Sequence, residues 1–95
     1  MFFVSLKFAG SKAKAPVFME GHNAWIRRGF DDGVFLLVGG LQPSAGGAIL
    51  AHNTSRADLE NRVREDPFVA EGIVTADIAE VAPARVDERL SFLKP

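Results

Sequence analysis

Between Gly33 and Gly39 the chain runs through five apolar residues in succession, Val34-Phe35-Leu36-Leu37-Val38. Side chains alternate between the two faces of a strand, so a strand of this sequence has no polar face to offer water. Valine and phenylalanine favour extended backbone, and a run this short cannot make a stable helix by itself. The segment is therefore expected to be a strand covered on both sides. A chain of 95 residues suffices for one domain, spanning 1–95 with a core over 1–84 and a C-terminal arm or short helix over 85–95. One core can cover one face; a second copy of the chain is the expected cover for the other, because an open apolar strand pairs with whatever strand it meets. Size points the same way, since a chain this short buries only about 60 to 65% of its unfolded surface.

The rest of the chain supplies partners for that strand. Phe2, Val4, Leu6 and Phe8 alternate with Phe3, Ser5 and Lys7, the period-two pattern of a first strand with one buried face. A loop over residues 9–15 leads to Pro16, which suits the first turn of a helix. Phe18, His22, Trp25 and Ile26 then recur at helical spacing, with Gly29 and Gly33 as candidate stops. The glycine-rich stretch from Gly39 to Gly47 reads as a mobile turn that joins the second strand to a third over Ala48 to His52. Thr54 or Ser55 offers an N-cap to a second helix with Leu59 and Val63 on its apolar side. Asp66-Pro67 breaks that helix and restarts a short one, with Asp66 as cap, Pro67 in the first turn and Gly72 at the end. Ile73 to Pro83 reads as a fourth strand, with a slip of phase expected near Glu80 and Val81. The order β-α-β-β-α-β is that of an α+β, ferredoxin-like domain with a four-stranded antiparallel sheet whose helices cover one face.

Several function classes drop out. Eleven basic and twelve acidic residues give a net charge of −1 with no long run of either sign, so neither nucleic acid nor an anionic membrane is an expected partner. The apolar start, Met1 to Phe8, is broken by Lys7 and is far shorter than the ~20 residues of a membrane span; it lacks the basic region and cleavage site of a signal peptide. With no cysteine there is no disulfide and no thiolate chemistry, and a cytoplasmic setting fits. His22 and His52 are not at metal-ligand spacing, and no HxH or HExxH arrangement is present, so neither a metal nor another cofactor is expected. Ser5, Ser44 and Ser55 lack a nucleophile-elbow context, and the 39–47 glycines lack the spacing of a phosphate cradle.

His22 in the first helix, the apolar strand ending in Gly39-Gly40, the Ser55 helix start, and Asp66-Pro67-Phe68 followed by Gly72 form an ordered set. It resembles the YciI-like (YCII-related) family over roughly residues 2–84. The chain departs from that pattern at Met19, where many members carry arginine, and at Gly40, where many carry proline. The resemblance implies a subunit of a dimeric α+β barrel, two sheets packed face to face, with a pocket in each subunit near the helix histidine and the aspartate of the DP pair. It also implies that His22 and Asp66 form a catalytic pair. Related barrels include small-ring lyases, isomerases and monooxygenases, so the fold narrows the reaction only weakly.

Read from the residues alone, His22 is first a core histidine bonded to backbone, and Asp66 an ordinary helix cap. His52, at a strand end, reads as a solvated loop histidine, and Arg27-Arg28 as a solvated pair complementing a helix end. With the resemblance, His22 is expected to be a general base or acid and Asp66 its orienting partner, with Trp25, Phe68, Gly39 and Gly40 lining the pocket. The expected activity is cofactor-free proton transfer of the lyase or isomerase kind on a compact, ring-shaped, anionic or carbonyl-bearing small molecule. The alternative is a non-catalytic small-ligand-binding or interaction module on the same homodimeric scaffold.

Overall fold

The computed structural model describes residues 1–94. Strand β1 (Phe2–Phe8) is followed by a 3₁₀ turn (Lys12–Lys14), helix α1 (Ala15–Asp31), strands β2 (Phe35–Leu41) and β3 (Gly46–Ala51), helices α2 (Arg56–Arg64) and α3 (Pro67–Ala70), strand β4 (Val74–Glu80) and a C-terminal 3₁₀ segment (Glu88–Leu93). The strands form one antiparallel sheet in the order β2-β3-β1-β4. This is the ferredoxin-like α+β arrangement expected from the element order. Among the described residues no helix is long and apolar enough to cross a membrane.

The alternation in β1 decides which sheet face is inside. Phe2, Val4 and Leu6 are buried, and their neighbours Ile49 and Ala51 on β3 and Val74 on β4 join them under the helices. Leu59 and Val63 of α2, Phe68 of α3 and Trp25 of α1 close the same core from above. Trp25 donates its indole N–H to the Arg62 carbonyl at 2.9 Å, which ties α1 to the last turn of α2 and satisfies the polar end of an otherwise buried ring.

Helix ends follow local chemistry. Ser55 caps α2 by accepting the Asp58 N–H at 3.1 Å, and Asp66 caps α3. Gly33 (φ +74°) and Gly72 (φ +70°) take the left-handed conformation that ends α1 and α3.

Three expectations need correction. Gly29 does not stop α1: it is buried inside the helix, where a Cβ would lie 2.1 Å from the Phe35 ring, so it is a packing glycine. The stretch Gly39 to Gly47 is not one long loop. Ladder pairing carries β2 to Leu41 and starts β3 at Gly46, which leaves only residues 42–45 as the turn. The register irregularity lies in β2, between Phe35 and Leu37, whereas β4 pairs evenly with β1 from Val74 to Glu80. Within one chain β2 is covered on one face only. It is an edge strand, and Leu37 is 54% exposed on the side away from the helices.

Leu37 belongs to a row. It pairs across the sheet with Leu50, which pairs with Phe3, which pairs with Ala79. Phe3 is 49% exposed, so the helix-free face carries an apolar band. The C-terminal 3₁₀ segment reaches one end of that band, where Leu90 and Leu93 share a hollow with Phe3 and Leu50.

Candidate functional site

Two elements far apart in sequence meet where α3 begins. Gly21 lets them approach, since a Cβ there would lie 3.1 Å from Pro67 Cγ. His22, the next residue of α1, is thereby held against the start of α3. Its Nδ1 lies 2.8 Å from Asp66 Oδ1, across 44 residues of sequence.

Asp66 is wholly buried and its Oδ1 does two things: it accepts the Phe68 backbone N–H at 3.0 Å and faces the His22 ring nitrogen. The cap therefore fixes the carboxylate, and the carboxylate in turn fixes the imidazole. An ionised carboxylate can only accept, so the proton of a neutral His22 belongs on Nδ1 and the lone pair on Nε2. Asp66 Oδ2 is buried without a hydrogen-bond partner.

Aromatic rings hold the imidazole's plane. Phe68 stacks on His22 with centroids 4.0 Å apart and planes within 1°, and Trp25 lies 6.1 Å away at 22°. The His22 side chain keeps 14% of its surface exposed, and it borders a cavity of about 220 Å³ between α1 and the inner face of the sheet. Leu6, Phe8, Ile26, Val38, Ile49 and Val74 supply its apolar wall, while Gly39, Gly46, Gly47 and Ala48 expose backbone to it. Met19 and Asn23 stand on the α1 side.

Of the residues expected at a pocket, His22, Phe68 and Gly39 border this cavity. Asp66 stands behind His22, and Trp25 and Gly40 are not part of the lining. Trp25 packs in the core instead, edge-on to Phe35 at 5.1 Å. Gly40 points to the cavity's side of the sheet by register but pairs with Gly47, which takes the lining position. Sequence reasoning missed Met19 and Asn23. Met19 and Asn23 were legible, since they flank His22 at i−3 and i+1, and Met19, Asn23 and Ile26 follow the same helical stripe. His52 packs edge-on to Phe92 at 5.6 Å and does not border the cavity. Among the described residues no group of three or more His, Cys, Asp or Glu is placed to hold a metal ion.

A solved structure shares this fold. It is 5-chloro-2-hydroxyhydroquinone dehydrochlorinase from Burkholderia phenoliruptrix AC1100, in complex with 2,5-dihydroxybenzoquinone. The superposition covers 85% of this chain and 93% of that one, with a TM-score of 0.69 and 15% sequence identity. The likeness is one of fold. No protein-family model and no curated protein sequence matches the chain.

Proposed function

We propose that the chain is a cytoplasmic, homodimeric small-molecule enzyme of the YciI-like kind, in which His22 and Asp66 carry out general acid/base proton transfer of the lyase or isomerase type without a cofactor. The observation that carries this reading is the 2.8 Å contact between a fully buried carboxylate and an imidazole that alone of the pair reaches a cavity. A histidine that served packing only would have no need of an open space beside it. The pair-and-pocket arrangement is what proton transfer requires: one nitrogen fixed, the other free, and a negative group behind to stabilise the imidazolium once formed.

In the proposed step Nε2 of His22 takes a proton from an acidic O–H or C–H of a ring substrate. The electron pair left behind moves into the ring. It then expels a leaving anion from a saturated, conjugated ring carbon of the keto tautomer, as in a lyase, or accepts a proton at a different atom, as in an isomerase. In the first case His22 holds the proton until solvent removes it; in the second it returns that proton. The dehydrochlorinase of similar fold, whose name denotes loss of hydrogen chloride from a chlorinated hydroxyhydroquinone, supports the lyase form. The dimer is supported by the band Leu37, Leu50 and Phe3 on the helix-free face, which a second sheet would cover.

Turnover of chlorinated and unchlorinated hydroxyhydroquinones, followed by chloride release and absorbance, tests the reading. His22→Gln is expected to lower kcat by about 10²-fold or more while ligand affinity is retained, the usual weight of a general base. Equal turnover in wild type, His22→Gln and Asp66→Asn would overturn the catalytic role. Binding without product across the panel would make the protein a ligand-binding module.

A further inference from the structure

The cavity's charge and depth narrow what it can hold. Among the described residues its lining contains no Lys, Arg, Asp or Glu side chain; His22 and Asn23 are its polar members. Lys12 approaches the Phe8 ring, with its ammonium 4.7 Å from the centroid, but it is exposed and does not border the cavity. An anion entering such a site would shed part of its hydration and meet no Lys or Arg side chain in the lining, an electrostatic penalty. A neutral hydroxyl loses much less, and Nε2 of His22 is a ready acceptor for it.

Charge then appears within the cavity itself only on proton transfer, as a phenolate and an imidazolium together. That ion pair is backed by Asp66, so no arginine is required. Met19, 42% exposed and one turn before His22, occupies the place on α1 from which a cationic side chain could have reached the cavity.

Depth comes from the missing side chain at Gly47. Gly40 and Gly47 are register partners on the helix-facing side of the sheet, beside Leu6. A Cβ built on Gly47 would meet only the Gly39 carbonyl oxygen, at an ordinary 3.5 Å, so the position is empty by choice of residue and not by steric need. Gly46 differs, because its φ of +129° and a 2.0 Å approach of a built Cβ to the Leu6 carbonyl oxygen require glycine. The space of about 220 Å³ exceeds the 150 Å³ or so of an apolar cavity that takes up benzene, by about enough for ring substituents.

Resting on the proposed function above, we propose that the cavity selects an uncharged, singly ringed phenol or hydroquinone and excludes carboxylated analogues, with Gly47 setting the room for the ring. Calorimetric titration of the full chain with 4-hydroxyacetophenone and the similarly shaped 4-hydroxybenzoate at neutral pH tests this. The ketone is expected to bind at least tenfold more tightly than the carboxylate, and Met19→Arg to narrow or invert that ratio. Gly47→Val, with circular dichroism unchanged, is expected to weaken the ketone at least tenfold, with Gly47→Ala as the milder variant should valine impair folding. The proposal is overturned if the carboxylate binds as tightly as the ketone, if neither binds at millimolar concentration, or if a folded Gly47→Val binds the ketone like wild type. These titrations read no turnover. Selectivity would therefore survive a failure of the catalytic reading, and a loss of selectivity alongside His22-dependent turnover would remove this inference alone.

Discussion

Replacing Asp66 by alanine removes one side chain and breaks two hydrogen bonds. The Phe68 N–H loses its cap, worth about 1 kcal/mol. The Nδ1–H of His22 loses its acceptor in a site that is only 14% exposed, worth about 1 to 3 kcal/mol. The expected loss is about 2 to 4 kcal/mol, and at about 4 to 8 °C per kcal/mol for a domain of this size the Tm should fall by at least about 8 °C. Asparagine acts differently. It keeps an oxygen at the Oδ1 position, so both bonds can persist, but it places an NH₂ group where Oδ2 finds no partner, at about 1 to 3 kcal/mol. The two variants are therefore best separated by the imidazole tautomer and not by stability. Nitrogen-15 spectra of histidine-labelled protein should show Nδ1–H at His22 in wild type and Asp66→Asn, and a shift toward Nε2–H in Asp66→Ala. Urea unfolding gives the stability arm, measured at equal protomer concentration so that self-association does not enter the comparison. An alanine variant within about 0.5 kcal/mol of wild type, the range of an ordinary surface substitution, would refute the account of Asp66 as a buried double acceptor. So would an Nε2–H tautomer in the wild type.

Gly29→Ala should destabilise the fold despite alanine's helix propensity advantage of about 1 kcal/mol, because the added Cβ lies 2.1 Å from the Phe35 ring and overpacking of this kind costs about 1 to 3 kcal/mol or more. Denaturant unfolding should show the loss and a partial recovery in the double variant with Phe35→Leu; a stabilised single variant would contradict the close approach of α1 to β2. Leu37→Asp, on the exposed side of the edge strand, should shift the protein from dimer to monomer in sedimentation velocity at micromolar concentration. A wild-type protein that sediments as monomer would remove the proposed interface.

Some of this molecule is written in short stretches of sequence. The alternation of Phe2, Val4 and Leu6 marked the inner face of β1, and Ser55 and Asp66 marked the starts of α2 and α3, because a cap needs only its own side chain and an N–H two or three residues on. Gly33 and Gly72 end helices for an equally local reason, a left-handed backbone that favours glycine. The order of elements narrowed the architecture, since short connections between strands leave few ways to wind a sheet. Only tertiary structure decided the rest. Gly29 reads like a helix stop until Phe35 packs on it from β2, and Gly40 and Gly47 read like loop until their ladder partners arrive from other strands. The apolar run in β2 could not announce that it lies at the sheet edge, because strand order is a property of the whole chain. His22 and Asp66 could each be placed on an inward-facing position by periodicity and capping. Their 2.8 Å meeting depends on how closely α1 approaches α3 at Gly21 and Pro67, and that distance is set by the packing of both helices on a common sheet, which no local pattern encodes.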